Sequence, residues 1–287
     1  MPTELSNSES TPSEKQRGFA APITGSPDHR ITRSEIPQYY TSLLSRYGPQ
    51  NWWPARSRFE VIVGAYLTQN TNWSNVEKAL LNLRRVRRLS VSAMRTTPID
   101  ELETLVRPSG YFRQKARNLK GFITFLNERY AGSISRMFAE PTEKLRAELL
   151  ELNGVGPETA DSILLYAGNH PVFVVDAYTR RVLLRHGIIN QKTSYEEIRA
   201  MIEHAISSSG AESLIAKNVV SDPRHPVSRM SSSARTELAQ HYNELHALIV
   251  RVGNHYCRAK QICEGCPLQS FLKTTDSATA HGAAESY

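Results

Sequence analysis

Residues 151–181 read ELNGVGPETADSILLYAGNHPVFVVDAYTRR, a tight turn followed by an apolar segment of helical character. Gly154 and Gly156 allow backbone conformations that a side chain would forbid, and Pro157 is favoured in the first turn of a helix. The amides of such a turn, with the N-terminus of the next helix, present N–H donors that suit a phosphate. A plainer interpretation stays open on this pattern alone: a glycine helix stop followed by a turn residue.

The same stretch contains a single carboxylate after an apolar run. Asp176 follows VFVV at 172–175 and precedes AYTRRVLL, which is a good helix start. Aspartate is a preferred N-cap residue, so capping is one expected role. A capping aspartate can still present its outer oxygen to a ligand, and the two roles are compatible.

The whole chain has 287 residues, of which 40% are hydrophobic, so it can bury a core and form one or two domains. Its 35 basic and 28 acidic residues give a formal charge of +7, and the pI is near 9.4. This favours a polyanionic partner such as nucleic acid, although solubility alone would also explain the charge. The N-terminal sequence does not have the pattern of a secretory signal, and no run of about 18 apolar residues predicts a membrane span. We expect no membrane partner and a cytoplasmic location, associated with the nucleoid if the source is bacterial.

Apolar residues recur at helical spacing over most of the chain. Residues 58–83 predict two helices joined by a polar loop at 69–72, and strand-like runs are few. Further helices are expected at 98–107, 113–129, 142–151, 157–167, 177–186 and 233–255. The predicted fold class is therefore all-α.

Three segments lack this periodicity. Residues 1–32 and 274–287 are rich in small and polar residues and are expected to be disordered tails. Residues 207–233, with two prolines and many serines, indicate a surface insertion.

Four motifs together resemble one family. LNGVGPETADSILLYA resembles the helix-hairpin-helix motif, and VVDAYTRRVLLRHG resembles the aspartate segment of the helix-hairpin-helix, Gly/Pro-Asp (HhH-GPD) family of DNA glycosylases, which includes endonuclease III. LTQN at 67–70 resembles the loop that fills the gap left by an extruded base in that family. RPSGYFRQKARNLKGF at 107–122 resembles the segment before the hairpin. The resemblance covers roughly residues 35–205 and resumes near 234–268.

The resemblance implies two helical subdomains with a DNA-binding cleft between them, in a glycosylase domain spanning 33–273. Residues 58–170 would form a central helical bundle that carries the hairpin. Residues 33–57 with 171–273 would form the second subdomain. The implied partner is double-stranded DNA containing a damaged base, bound by a monomer.

The resemblance also implies which residues contact DNA. The hairpin residues Gly154, Val155, Gly156 and Thr159 would hold the backbone. Gln69, whose amide has donors and acceptors suited to a base, would face the orphaned partner base. The alternative for Gln69 is an ordinary loop residue.

By its place in the motif, Asp176 is the implied catalytic residue. A glycosylase rotates the nucleotide out of the duplex, and cleavage of the N-glycosidic bond leaves positive charge on the sugar that a nearby carboxylate stabilises. The same carboxylate can orient or deprotonate the attacking water. Family members that also cut the strand have a lysine where this chain has Glu158, and a carboxylate cannot form an imine. We therefore expect a monofunctional DNA N-glycosylase of base excision repair; Lys115 could in principle supply the amine, but nothing in the sequence favours it.

The three tryptophans of the chain bear on the choice of base. NWWPARSRFEVIVGAYLTQNTNW closely resembles the pocket region of the 3-methyladenine glycosylase branch, in which residues matching Trp52, Trp53, Pro54 and Trp73 enclose the flipped purine. A purine methylated on its ring carries positive charge, and an indole face attracts it by stacking and cation–π contact worth about 0.5–2 kcal/mol. The alternative is that the tryptophans are core residues that pin the N-terminal segment to the first helix.

Cys257, Cys263 and Cys266 lie within ten residues of one another, which suits a metal or cluster site better than a disulfide framework. HYCRAKQICEGCPLQSFLK resembles the iron–sulfur loop of endonuclease III, which uses four cysteines, but Leu272 stands where the fourth is expected. Two interpretations stay open. Three thiolates could hold a [4Fe–4S] cluster with water or His255 as the fourth ligand, or the loop keeps its fold by packing alone; an absent or labile cluster is slightly favoured.

Two other functions remain as alternatives. One is an endonuclease III-like glycosylase and lyase that acts on oxidised pyrimidines or mismatches. The other is a non-catalytic helix-hairpin-helix DNA-binding protein. Asp176 argues against the second, because a pure binder has no use for a carboxylate that faces DNA phosphates.

Overall fold

The computed structural model describes residues 35–209 and 227–272. The predicted tails at 1–32 and 274–287 lie outside the described residues, as do residues 210–226 of the predicted insertion.

The described residues are helical and contain no strand, which confirms the all-α prediction. The run VFVV at 172–175 is irregular chain between two helices. The helices are α1 (Ile36–Tyr47), α2 (Arg58–Thr68), α3 (Trp73–Arg85), α4 (Val91–Thr96), α5 (Ile99–Val106), α6 (Phe112–Tyr130), α7 (Ile134–Met137), α8 (Thr142–Leu150), α9 (Pro157–Ser162, continued as a π-helical turn over Ile163–Gly168), α10 (Ala177–Arg185), α11 (Tyr195–Ser207) and α12 (Glu237–His255).

Side-chain caps start most of these helices. A Ser, Thr, Asn or Asp side chain accepts a hydrogen bond from the amide three residues further on, as an N-cap requires. These caps are Ser57, Asn72, Ser90, Ser133, Asp176, Ser194 and Thr236. The periodicity did not predict α1, α4, α7 or α11. Two of them are too short for a periodic signal, but α11 begins with a full capping box between Ser194 and Glu197 that the sequence pattern contains.

Helix α2 is the centre of the protein. Every residue from Phe59 to Leu67 is buried, although its spacing predicts an amphipathic helix. It is covered because α3, α6 and the π-helical turn Ile163–Gly168 all pack around it. The one buried acid of α2, Glu60, forms an ion pair with Arg84 of α3. Burial of a side chain such as Leu67 contributes about 1.5–3 kcal/mol.

The remaining helices bring the two ends of the described chain together. Helix α1 packs against α11 and α12, and α10 lies along α12. These pairings are those expected for a second helical subdomain, and its boundaries at 57 and 171 stay a prediction. None of the helices that the structure describes is long and apolar enough to cross a bilayer.

Candidate nucleic-acid interface and active site

The predicted hairpin is formed by α8, a turn at Leu152–Gly156, and α9. Gly154 has φ +76°, in the left-handed region, and a Cβ placed on it would lie 1.9 Å from Nδ2 of Asn118. Only glycine fits there. Gly156, by contrast, has an extended backbone with φ −94°, and a Cβ on it would have no heavy atom within 4 Å. Val155 between them is buried and anchors the turn in the core.

A buried ion pair holds the two helices of the hairpin together. Nε of Arg146, on α8, donates to Oδ1 of Asp161, on α9, at 2.7 Å. Asp161 is fully buried, and its second oxygen accepts a 2.8 Å hydrogen bond from Tyr195. Both charges are thus matched by short contacts, so the hairpin is a rigid unit on which the turn is presented.

Gln69 lies against this turn. Its Nε2 donates to the carbonyl oxygen of Gly154 at 2.7 Å and to Oγ1 of Thr159 at 2.9 Å. Both N–H groups of the amide are therefore engaged, and the carbonyl oxygen is the group that it can offer to a base. The structure thus brings the loop at 69–72 and the hairpin into one surface.

The turn before α6 joins the same surface. Nζ of Lys115 donates to the backbone oxygens of Leu67 at 2.9 Å and Ser109 at 2.7 Å, which ties this turn to the end of α2. Lys115 is buried, and burial lowers its pKa to about 8. Its ammonium is held by backbone carbonyls inside the fold, so the structure does not offer it as an amine for substrate.

One exposed aromatic side chain on this turn was missed by the sequence reasoning. Tyr111 is 72% exposed and has φ +43°, and it directly precedes α6. Exposure of a large ring in a left-handed backbone conformation is a signal that only coordinates provide, since sequence periodicity does not separate exposed from buried turn aromatics.

Asp176 is both the N-cap of α10 and a nearly buried acid. Its Oδ1 accepts a hydrogen bond from the amide of Thr179 at 2.7 Å, and its Oδ2 lies 3.5 Å from Nε2 of His246. Burial alone would raise the pKa of Asp176, but His246 and Thr179 outweigh it and hold the pKa below its ordinary value. The carboxylate is therefore ionised at neutral pH.

Glu158, in the first turn of α9, shares this site. The surrounding protein and the charge of Asp176 raise the pKa of Glu158 to about 7, while His246 acts in the opposite direction. Glu158 is nevertheless exposed to solvent, so water screens these effects. Two acids with different ionisation behaviour thus face one site, a common feature of catalytic clefts.

The three tryptophans form one cluster. The ring centroids of Trp52, Trp53 and Trp73 are 5.0–5.2 Å apart in all three pairs. Trp53 is only 6% exposed and also contacts Tyr166, at 5.2 Å, so it belongs to the core. A base between two parallel rings needs roughly 7 Å, twice a carbon–carbon contact. The rings therefore do not enclose such a space here, and the half-buried Trp52 and Trp73 are the members that reach the surface, beside exposed Pro54.

A chain of contacts joins this cluster to Asp176. The Tyr166 ring that packs on Trp53 hydrogen-bonds through its hydroxyl to Nδ1 of His246, and the other ring nitrogen of His246 faces Asp176. Neither Tyr166 nor His246 was singled out from the sequence, because each lies in an ordinary apolar helical pattern.

The cysteine loop lies at the far end of α10 and α12 from the cap of Asp176. All three thiols line one cavity, together with His186 and Leu272. Nη1 of Arg185 donates to Sγ of Cys257 at 3.2 Å. Nδ1 of His186 is bonded to the hydroxyl of Tyr39 at 2.9 Å.

This donor set does not complete the four thiolates of a [4Fe–4S] cluster. The chain has three cysteines, and the cavity wall has a leucine at the fourth place. His255, the alternative fourth ligand, contacts the rings of Tyr47 and Tyr256. Within the described residues, no group of three or more His, Cys, Asp or Glu side chains is arranged to hold a metal ion.

Comparison with known proteins agrees with this geometry. The profile of the HhH-GPD superfamily base excision DNA repair proteins matches residues 63–207. MJ1434 of Methanocaldococcus jannaschii, provisionally named a DNA repair glycosylase, is 42% identical over 238 residues, which is 82% of this chain and 94% of MJ1434.

Two solved structures are similar. The H. pylori 3-methyladenine DNA glycosylase MagIII, bound to 1,N6-ethenoadenine, is 30% identical, with a TM-score of 0.62 over 77% of this chain and 97% of its own. An endonuclease III in a non-covalent complex with DNA is 21% identical, with a TM-score of 0.59 over 86% of this chain and 94% of its own, and so shares the fold. The chain belongs to the HhH-GPD superfamily of base excision DNA repair proteins and is a DNA glycosylase of that family.

Proposed function

We propose that this protein is a monofunctional DNA N-glycosylase that removes alkylated purines, such as 3-methyladenine, from double-stranded DNA. The observation that carries the proposal is the pair of acids in the site: Glu158 stands beside Asp176 at the place where bifunctional relatives have their lysine. Lys115, the other amine considered, is bound to two backbone carbonyls. Water is then the nucleophile.

The reaction follows from the geometry of Asp176. The bond between C1′ and the base nitrogen breaks, and its electron pair leaves with the base. The ionised Oδ2 stabilises the positive charge on the sugar, since Oδ1 is already held by Thr179. A water adds to C1′ and gives up a proton, for which Asp176 is the base. The products are a free base and an abasic site in an intact strand.

The tryptophan cluster supports an alkylated purine as the substrate. An indole face attracts a ring that carries positive charge, and a methylated purine is already a good leaving group, so a strong general acid is not needed. The extruded base stacks on the exposed side of Trp52 and Trp73, with Trp53 as the buried floor. The structural neighbour from H. pylori is a 3-methyladenine glycosylase, which favours the same substrate class.

The surface around this site carries the groups that contact the DNA backbone and the base stack in this proposal. The amides of Gly154 and Gly156 bind one phosphate, with Gln69 beside them, while the amide of Val155 donates to the carbonyl oxygen of Leu152 at 3.1 Å within the turn. The exposed ring of Tyr111 enters the base stack as an aromatic wedge, while the loop at 67–70 fills the gap left by the extruded base. One chain carries all these parts, so it acts as a monomer.

The cysteine loop has a structural role in this proposal. Its backbone is held by Arg185, which donates to the carbonyl oxygens of Arg258 and Ala259 at 2.6 and 3.0 Å. Packing and these bonds, rather than a four-thiolate cluster, fix the loop at the end of α10.

The test is release of free base from methylated double-stranded DNA by the wild type and by Asp176→Asn, with strand breaks scored before and after alkali. We expect 3-methyladenine from the wild type only, with strands intact until alkali, and no covalent complex after borohydride treatment. Release of oxidised pyrimidines with strand cleavage would favour the endonuclease III-like alternative. DNA binding without release of any base would refute the enzymatic proposal.

A further inference from the structure

We propose that His246 is a positioning residue for base excision: its Nε2–H holds the outer oxygen of Asp176 toward the substrate sugar, and Tyr166 fixes the imidazole that does so. This inference rests on the proposed function, because it assigns a role in the same site. His246 lies on α12, seventy positions from Asp176 in the sequence, and no sequence motif marks it.

His246 lies between a carboxylate, which accepts hydrogen bonds, and a tyrosine hydroxyl, which can donate one. Its Nε2 is 3.5 Å from Oδ2 of Asp176, and its Nδ1 is hydrogen-bonded to the hydroxyl of Tyr166. The side chains of His246 and Asp176 are 8% and 13% exposed. The ring of Phe173 packs edge-on against the imidazole, at 6.0 Å between centroids. The imidazole is therefore packed against Phe173 and has a partner at each ring nitrogen.

The tautomer follows from these partners. An ionised carboxylate only accepts hydrogen bonds, so the ring nitrogen that faces Asp176 must carry a proton. Tyr166 is fully buried and its pKa lies well above the ordinary value, so its hydroxyl keeps its proton and can donate to Nδ1. Nε2 carries the proton whether the ring is neutral or cationic. Nε2 otherwise has no hydrogen-bond partner among the described residues, so its N–H serves Asp176.

The two carboxylate oxygens of Asp176 are held by different groups. The backbone amide of Thr179 fixes Oδ1, and His246 approaches Oδ2 from the other side. Such two-sided support is what keeps a catalytic carboxylate in one rotamer. A separation of 3.5 Å is long for a hydrogen bond, and contacts of this kind often shorten when substrate binds.

The chain contains a matched control. His241, one and a half turns earlier on α12, is buried in the same way, and its Nδ1 is hydrogen-bonded to the hydroxyl of Tyr40 at 3.1 Å. Its Nε2 faces the exposed Glu237 at 3.8 Å instead of Asp176. The two Tyr–His pairs share chemistry and burial and differ in the acid that they face.

The experiment compares His246→Leu with His241→Leu, in single-turnover excision of 3-methyladenine by excess enzyme. We expect His246→Leu to lower the rate constant at least tenfold while affinity for DNA with an abasic-site analogue changes less than threefold. His241→Leu should stay within twofold of wild type. His246→Gln, which keeps an N–H donor, should recover part of the loss, and Tyr166→Phe should show a smaller loss of the same kind.

One readout separates positioning from a loss of packing. In His246→Leu, the acid limb of the pH–rate profile should move to higher pH, since burial would then dominate the pKa of Asp176. The titratable groups that face His246 are Asp176, Tyr166 and Glu158, with Arg235 and Glu244 behind Tyr166.

Equal losses in the two leucine variants, or an unmoved acid limb, would each overturn the inference. If His246→Leu does not fold, the same measurements are made on His246→Gln and Tyr166→Phe. The inference is overturned if both variants have the excision rate and the acid limb of the wild type. If Asp176→Asn is inactive and His246→Leu is fully active, this inference is refuted and the proposed function is not. A wild type that releases no base from alkylated or oxidised DNA refutes the proposed function and this inference together.

Discussion

Substitution of Gly154 by alanine tests whether the hairpin turn has the geometry described. The residue has φ +76°, and an alanine forced into the left-handed region costs roughly 1–2 kcal/mol. The new Cβ would lie 1.9 Å from Nδ2 of Asn118, so the side chain or the turn must shift, at roughly 1–3 kcal/mol for overpacking. We therefore expect Gly154→Ala to lower the free energy of unfolding by about 2–5 kcal/mol.

The assay is urea unfolding, with DNA affinity measured on the folded fraction. Asn118→Ala in the same chain removes the clash but not the backbone strain, so the double variant should recover about 1–3 kcal/mol relative to the additive expectation. Gly156→Ala is the matched control, because its backbone is extended and a Cβ there meets no heavy atom within 4 Å. It should leave stability within about 0.5 kcal/mol of wild type and weaken DNA binding, since the new methyl group lies where a phosphate approaches. A Gly154→Ala variant as stable as wild type, or no coupling to Asn118, would refute this reasoning.

Three further outcomes follow from the site and the cysteine loop. Glu158→Lys should form a covalent complex with DNA on borohydride treatment, because it puts an amine beside Asp176; base release without any such complex would contradict the proposed position of Glu158. Burial lowers the pKa of Lys115 to about 8. Between about pH 8 and 10.4 the unfolded state therefore binds more protons than the folded state, and the free energy of unfolding should rise with pH. Unfolding curves of Lys115→Met should lack this rise, and a pH dependence identical to that of the wild type would contradict the argument. Leu272→Cys should hold more iron per chain than wild type after the same anaerobic reconstitution, since Leu272 lines the cavity of the three cysteines. Equal iron content would contradict the identification of Leu272 as the position of the missing fourth ligand.

The sequence was sufficient for the fold because the informative signals are local. Helical periodicity, the Gly-Val-Gly turn and the cap before α10 are all short-range patterns, and each helix predicted from them is present. The burial of α2 on every side was not predictable in this way, because it depends on α3, α6 and the π-helical turn packing around it.

The same distinction between local signals and long-range contacts applies to the site residues. Asp176 and Glu158 were named from the motif, and in the structure the charge of Asp176 acts on Glu158 and raises its pKa. His246 could not be found, since its partnership with Asp176 joins residues that are seventy positions apart. The closed packing of Trp52, Trp53 and Trp73 was also beyond the sequence, because aromatic spacing does not determine whether rings contact one another or leave room for a base.

The double role of Asp176 makes two substitutions informative in different ways. Oδ1 caps α10 through the amide of Thr179, and Oδ2 is the oxygen available for chemistry. Asparagine is as good an N-cap as aspartate, so Asp176→Asn should keep the cap while it removes the charge. Alanine removes both, and loss of a cap costs about 0.5–2 kcal/mol. We expect neither variant to release base, but only Asp176→Ala to lose stability through the cap. If Asp176→Asn were destabilised as much as Asp176→Ala, the cap would not be the contact that holds this residue, and the loss of activity in Asp176→Asn could no longer be assigned to the missing charge.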